Sequence, residues 1–280
     1  MKHLLIVGGT QGIGAATARA FAAYGGSVTI AGRNAQMGST IVDELKSIAK
    51  DNERQRMDYV KLDITDIRSV KAFCKRFSAL DCLLITAGGL NYGPRRETAE
   101  GVEVTFAQNV LGRFVLAKEL MPLLAVNNGR VVNCLGAGTT TAINQQDWQL
   151  KANFSFINAA LQYGAMSDVL ALEFASRFPQ VKYFHYFPGS VATDSVKNQN
   201  FPWIIQKLAS VALPWVATPP DKVAAVLLKI LTADEFADKQ CLLDPRGKQI
   251  KPSAFIEKGG EQLRKDVWNY CLSISNQITA

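Results

Sequence analysis

The stretch Leu-Leu-Ile-Val-Gly-Gly-Thr-Gln-Gly-Ile-Gly-Ala occupies residues 4–15 and runs directly into an alanine-rich segment that ends near Tyr24. Four successive apolar residues predict a short buried strand, and the segment after the glycines predicts a helix. The glycines allow a tight turn and a close approach of the backbone to a ligand, while the N–H groups at a helix N-terminus attract an anion. A glycine turn between a strand and a helix is typical of a dinucleotide-phosphate site.

Strand-like and helix-like patterns alternate along the rest of the chain, which predicts parallel strands covered by helices on both faces. The expected fold is therefore α/β, a three-layer Rossmann fold whose doubly wound parallel sheet has seven strands. The predicted strands are Leu4–Val7, Ser27–Ala31, Asp58–Leu62, Cys82–Thr86, Arg130–Cys134, Val181–Tyr186 and Gln240–Leu243. The predicted helices are Gly14–Tyr24, Gln36–Lys50, Ile67–Arg76, Gly101–Leu124, Phe154–Arg177 and Asp221–Leu231.

The end of the second predicted strand indicates which dinucleotide is preferred. An NAD site usually carries an acidic residue there, about twenty residues after the glycine turn, for the ribose 2′-hydroxyl. This chain has Gly32, Arg33 and Asn34 instead. A guanidinium is a forked, permanently charged donor that suits a 2′-phosphate, so we expect NADP(H). The alternative is that Arg33 is an ordinary exposed loop residue.

These motifs, in order and spacing, resemble the short-chain dehydrogenase/reductase family. Its glycine signature corresponds to residues 7–14, its aspartate–apolar pair to Asp63-Ile64, its NNAG segment to residues 86–89, and its PGxVxT turn to residues 188–193. The resemblance implies a nicotinamide cofactor. Together the motifs give the positions that we expect to contact it: Gly8, Thr10, Gln11, Gly12, Ile13, Gly14, Arg33, Asn34, Asp63, Ile64, Ala87, Gly88, Pro188, Gly189, Val191 and Thr193.

The family's catalytic serine, tyrosine and lysine are not found in their usual form, which indicates a divergent branch. Gly136 stands at the serine position, and Thr139–Thr141 lie just beyond it. The tyrosine and lysine positions have two possible registers. One places Tyr163 and Ser167 there, and the other, counted back from the proline turn, places Phe156 and Ala160 there.

Two candidate catalytic residues follow from these comparisons. Tyr163 is one, although in the second register it is a packed helix aromatic. Asn109, which resembles the family's helix asparagine, is the other, with the alternative that it only kinks the helix by bonding to backbone. We interpret His185, which alternates with apolar neighbours, as a core or strand-end residue.

Composition narrows the class of protein further. The 280 residues fit one dinucleotide-binding domain over 1–280, and the net charge of +7 is spread without the dense basic run that nucleic-acid binding favours. No metal site is expected from two histidines, and five scattered cysteines indicate reduced thiols and a cytoplasmic location. No segment predicts a membrane span.

Residues 195–220 are longer than an ordinary connection and contain apolar residues in an amphipathic pattern, so we expect a substrate lid or a dimer contact there. Membrane contact is the less favoured alternative, because only Lys207 supplies positive charge between Gln199 and Thr218. The family resemblance also implies a homodimer or homotetramer that pairs through the long helices Gly101–Leu124 and Phe154–Arg177.

The expected function is an NADP(H)-binding oxidoreductase that acts on an unidentified carbonyl or alcohol. Two alternatives stay open, because the usual catalytic groups are missing. One is a catalytically silent NADP(H)-binding sensor or interaction protein. The other is a non-redox enzyme, such as an isomerase or cyclase, that reuses the pocket.

Overall fold

A parallel sheet forms the centre of the protein in the computed structural model, which describes residues 1–51, 53–89, 91, 93–136, 142–191, 217–236 and 241–278. Within these ranges the sheet has seven strands in the order β3-β2-β1-β4-β5-β6-β7, all paired in parallel. The strands are β1 (His3–Val7), β2 (Ser27–Gly32), β3 (Met57–Lys61), β4 (Cys82–Ile85), β5 (Arg130–Cys134), β6 (Lys182–Tyr186) and β7 (Cys241–Leu243). The predicted doubly wound Rossmann fold is confirmed.

Helices cover both faces of this sheet, and each face has its own apolar core. Five of the six predicted helices are present with ends shifted by at most two residues, and the sixth is divided. The helices are α1 (Gly12–Tyr24), α2 (Ala35–Ile48), α3 (Ile67–Cys74), α4 (Val104–Phe106), α5 (Gly112–Val126), α6 (Phe156–Arg177), α7 (Pro220–Thr232) and α8 (Ala254–Gln277). Helices α1, α2 and α7 lie on one face, and α3, α5, α6 and α8 lie on the other.

The helix predicted over Gly101–Leu124 is interrupted. It begins at α4, after the buried carboxylate of Glu103 accepts hydrogen bonds from the N–H groups of Thr105 and Phe106 at 2.9 and 2.7 Å. A π-helical turn (Ala107–Leu111) then joins α4 to α5. Such a turn leaves backbone groups out of the α-helical pattern and is frequent at functional sites. The turn contains Asn109, so this candidate residue lies where the helix geometry changes.

The C-terminal helix α8 was not predicted from the sequence pattern. Its Trp268 ring lies 4.9 Å from the ring centroids of both Phe114 on α5 and Phe174 on α6. The Arg177 guanidinium lies 4.4 Å from the Trp268 ring centroid. Helix α8 therefore covers part of the two helices through which the family resemblance implies pairing.

Some of the predicted positions lie outside the described residues. Most of the expected lid, residues 195–216, lies outside the described residues, as do Thr139–Thr141 and Thr193. Among the helices of the described ranges, none is long and apolar enough to cross a bilayer.

Candidate functional site

A cleft of about 220 Å³ lies where β1, β2, β3 and β4 end at the carboxyl edge of the sheet. This is the edge at which doubly wound folds bind their ligands, next to the point where the strand order reverses between β1 and β4. Most of the predicted cofactor residues line it: Gly8, Thr10, Gln11, Gly12, Ile13, Gly14, Arg33, Asp63, Ile64, Ala87 and Gly88. Thr86 and Gln108 line it as well.

The glycine turn packs too closely on the backbone for side chains at Gly8 and Gly14. A Cβ on Gly14 would lie 2.2 Å from the carbonyl oxygen of Gly8. Gly8 itself has a φ of +100°, and a Cβ there would lie 2.4 Å from the backbone nitrogen of Ala87. Glycine at both positions therefore brings the first turn of α1 against the ends of β1 and β4.

The N-terminus of α1 is open to an anion. Gln11 precedes the helix without a capping hydrogen bond from its side chain, and the first turn contains no acidic residue. The first N–H groups of a helix have no partner within the helix and carry a partial positive charge. Because Gln11 and Gly12 both line the cleft, these N–H groups are suited to a pyrophosphate.

The side of the cleft formed by β2 is open and basic. A Cβ on Gly32 would lie 3.0 Å from Thr10 Cγ2, so glycine keeps the backbone close to the phosphate loop. Arg33 is exposed, and among the described residues it forms no ion pair. Asn34 does not line the cleft, since its side chain caps α2 by accepting a hydrogen bond from Met37 N at 3.0 Å.

Asp63 forms the opposite wall of this half of the cleft. Its Oδ1 accepts hydrogen bonds from the N–H and the hydroxyl of Thr65 at 2.9 and 2.8 Å. This arrangement fixes the carboxylate at the mouth of the cleft and leaves its second oxygen as an acceptor.

The predicted proline turn does not reach the lining of this cleft. Gly189 has a φ of +73°, as a tight turn requires, and Val191 pairs with Thr218. Pro188, Gly189 and Val191 follow β6, two strands away from β4, which explains why they do not line a cleft centred on β1 and β4.

Tyr163 lies inside the core, outside the described cleft. Its side chain is 1% exposed, and its ring lies 5.5 Å from the ring of Phe106. Burial, together with the nearby carboxylate of Glu103, raises the pKa of the Tyr163 hydroxyl far above its ordinary value. A general acid must reach its substrate and give up a proton, so this environment favours the packing interpretation of Tyr163 over the catalytic one.

The alternative register places its residues at the surface. Phe156 is the first residue of α6 and is 41% exposed, and Ala160 lies one turn later. Gly136 is the second residue after β5, and no atom of the described residues lies within 4 Å of the position that its Cβ would occupy. None of the three carries a side chain that transfers a proton.

Asn109 bonds to the loop that follows β4. Its side chain accepts a hydrogen bond from Gly89 N at 3.3 Å and donates one to Gly89 O at 2.7 Å. Its own carbonyl, in the π-helical turn, accepts a hydrogen bond from Ser167 Oγ at 3.2 Å. Asn109 therefore holds the loop whose Ala87 and Gly88 line the cleft.

His185 is a core residue, as interpreted from its position in the strand. It is fully buried, and its Nδ1 lies 2.7 Å from Asp168 Oδ1 on α6. The pair joins β6 to the helix that packs on it and does not line the described cleft.

Arg113 is a functional candidate that sequence reasoning missed. It is 2% exposed on α5, four residues after Asn109, and its guanidinium donates hydrogen bonds to the ends of β4 and β5. A single charge in the apolar stretch Gly112-Arg113-Phe114-Val115-Leu116 is the signal that could have found it.

The sheet order, the glycine turn and the open helix N-terminus define a Rossmann-type dinucleotide-binding protein. The sequence model of the family described as short chain dehydrogenase matches residues 2–201. The chain therefore belongs to the short-chain dehydrogenase/reductase family of oxidoreductases.

Individual relatives agree with this assignment. The chain is 35% identical over 205 residues to an oxidoreductase of Emericella nidulans, covering 71% of this chain and 60% of that protein. It thus spans about three fifths of that relative's length. It is 29% identical over 266 residues to human retinol dehydrogenase 12, covering 89% of this chain and 82% of that protein.

A solved structure shows the same fold. An alcohol dehydrogenase from Thermococcus sibiricus, complexed with 5-hydroxy-NADP, superposes with a TM-score of 0.65 at 22% identity. The match covers 90% of this chain and 99% of that one.

Proposed function

We propose that this chain is an NADP(H)-dependent oxidoreductase that interconverts a carbonyl compound and an alcohol. The observation that carries the proposal is one cleft with two anion sites. One is the uncapped N-terminus of α1, and the other is Arg33 beside Gly32, which has no ion-pair partner among the described residues. The first suits a pyrophosphate and the second a ribose 2′-phosphate, and only the phosphorylated dinucleotide carries both groups.

Each wall of the cleft has a role in this proposal. The N–H groups of α1 bind the pyrophosphate, Arg33 binds the 2′-phosphate, and Asp63 with Ile64 contacts the adenine. Ala87 and Gly88 support the middle of the dinucleotide. The turn over residues 188–193 would contact the nicotinamide, as in the family that the chain belongs to.

The cofactor, when bound, supplies a hydride to the carbonyl carbon, and a proton added to the carbonyl oxygen completes the alcohol. Tyr163 is too deeply buried to deliver that proton, and Gly136, Phe156 and Ala160 have no group to do so. We therefore propose solvent as the proton donor, because none of these four residues offers an accessible acid. Asn109 contributes by fixing the loop at Gly89.

We also propose that residues 1–280 form one dinucleotide-binding domain that works in the cytoplasm. A homo-oligomer would need to pair on a surface that α8 leaves open, since α8 packs on α5 and α6.

A panel of aldehydes and ketones, with NADPH consumption as the readout, tests the proposed reaction. Retinal belongs in the panel because one relative is named retinol dehydrogenase 12. Turnover of any carbonyl compound with NADPH supports the proposal. Tight NADPH binding without turnover across the panel would favour the silent binding protein instead.

A further inference from the structure

Arg113 is a buried cation that joins the ends of two central strands. Its Nη2 donates a hydrogen bond to Ala87 O at 2.6 Å, in the loop after β4. Its Nη1 donates to Cys134 O at 3.1 Å and to Asn133 Oδ1, both at the end of β5. These acceptors are dipoles without a formal charge, so the hydrogen bonds solvate the guanidinium without neutralising it.

The positive charge of Arg113 is uncompensated at close range. No carboxylate of the described ranges lies within ion-pair distance of it, and its Nε is buried without a partner there. Burial lowers the pKa of Arg113 to about 10, which still leaves the side chain charged at neutral pH. An unpaired buried charge is costly to the folded state, and such groups often serve a ligand.

The guanidinium of Arg113 lies directly behind the cleft. A Cβ on Gly88, which lines the cleft, would lie 2.6 Å from Arg113 Nη2 and 3.2 Å from Asn109 Oδ1. The guanidinium of Arg113 therefore packs against Gly88, a residue of the cleft lining.

The sheet order indicates which half of a dinucleotide would face Arg113. In a doubly wound fold the two halves lie on either side of the switch point, here between β1 and β4. Arg33 and Asp63 lie on the β2 and β3 side, with the adenosine half. Arg113 contacts the ends of β4 and β5, on the side of the nicotinamide half.

We propose that Arg113 makes this cleft bind NADPH in preference to NADP⁺. The two forms carry the same phosphates and differ in the ring, which is neutral in NADPH and cationic in NADP⁺. A fixed cation behind the nicotinamide half repels the oxidised ring and leaves the reduced ring unaffected. This inference rests on the proposed function, because it requires the dinucleotide to bind in this cleft.

The size of the effect follows from Coulomb's law. At an effective dielectric constant of about 20, two unit charges change an equilibrium by roughly tenfold at a separation of about 12 Å, and by more at shorter range. We therefore expect NADPH to bind about tenfold more tightly than NADP⁺. A tenfold ratio corresponds to a rise of about 30 mV in the reduction potential of the bound two-electron couple.

The first experiment uses the unmodified protein. The dissociation constants of NADPH and NADP⁺ are measured by isothermal titration calorimetry in the same buffer. Tighter binding of NADPH, by about tenfold, supports the inference. Equal affinities overturn it while leaving the proposed function intact, whereas failure of both nucleotides to bind overturns the proposed function.

Variants then separate charge from packing. Arg113→Met removes the charge and should bring the two affinities together, whereas Arg113→Lys keeps the charge and should restore the preference for NADPH. Arg33→Met is the matched control, because it removes a cation from the adenosine side and should weaken both forms equally. An NADPH preference that persists in Arg113→Met would contradict the inference, as would an Arg113→Lys protein that behaves like Arg113→Met. If Arg113→Met does not fold, the ratio of the NADP⁺ and NADPH dissociation constants in the unmodified protein and in Arg113→Lys tests the inference.

Discussion

Replacing Gly14 with alanine should distort the cofactor cleft, because Gly14 packs directly against the backbone of Gly8. The new Cβ would lie 2.2 Å from the oxygen and 2.8 Å from the carbon of the Gly8 carbonyl. Both atoms belong to the backbone, so no side chain can rotate away. The first turn of α1 must therefore move from the loop by about 1 Å, a distortion of the kind that costs about 2 kcal/mol of unfolding free energy.

The same movement should weaken cofactor binding. Hydrogen bonds from helix N–H groups to a phosphate require donor–acceptor distances near 2.9 Å, so a displacement of about 1 Å breaks or lengthens them. We expect the dissociation constant of NADPH to rise at least about tenfold. Urea denaturation of the apoprotein measures the stability change, and energy transfer from tryptophan to bound NADPH measures the affinity.

Gly136→Ala provides the matched control for Gly14→Ala. A Cβ on Gly136 would meet no atom of the described part of the chain within 4 Å, so the substitution should leave stability unchanged or raise it by about 0.5 kcal/mol. Equal losses of stability in the two variants would refute the reasoning. So would a Gly14→Ala protein that binds NADPH as tightly as the unmodified protein does.

Two further substitutions test the roles assigned to buried aromatic residues. Tyr163→Phe should leave NADPH affinity and any carbonyl-dependent NADPH consumption unchanged, because the hydroxyl is buried away from the cleft. A loss of turnover at unchanged affinity would instead show that Tyr163 is catalytic. Trp268→Ala should lower the unfolding free energy by about 3–5 kcal/mol, because the indole packs between Phe114 and Phe174. An unchanged urea midpoint for Trp268→Ala would show that α8 does not hold these helices.

The parts of the fold that could be predicted from sequence are those with local signals. The apolar run at residues 4–7, followed by glycines and a helical segment, specifies strand, turn and helix within a few neighbouring residues. Arg33 could be placed in the cleft because it follows directly on β2, and every strand of a parallel sheet ends at the same edge.

The parts that could not be predicted depend on contacts between distant residues. Arg113 bonds to Ala87 and Cys134, which lie 26 and 21 residues away in the chain, and no periodic pattern reports such contacts. The burial of Tyr163 could not be predicted for the same reason, because it results from the packing of α6 on Phe106.

Helix α8 was not predicted because a kink near its start interrupts the helical sequence pattern. Its apolar residues Leu263, Val267, Trp268 and Cys271 have helical spacing and are buried. Near its start, however, Gly260 has a φ of +53° and kinks the helix. A pair of glycines at 259–260 is typical of a turn, which makes the helix difficult to recognise from sequence.

The relative affinity for NADPH and NADH tests the central claim most directly, because the two cofactors differ only in the 2′-phosphate that Arg33 is proposed to bind. We expect NADPH to bind at least about tenfold more tightly than NADH, because a charge-assisted hydrogen bond changes a dissociation constant by about that factor. Arg33→Met should remove most of that difference. Equal or tighter binding of NADH by the unmodified protein would contradict the assignment of this cleft to NADP(H).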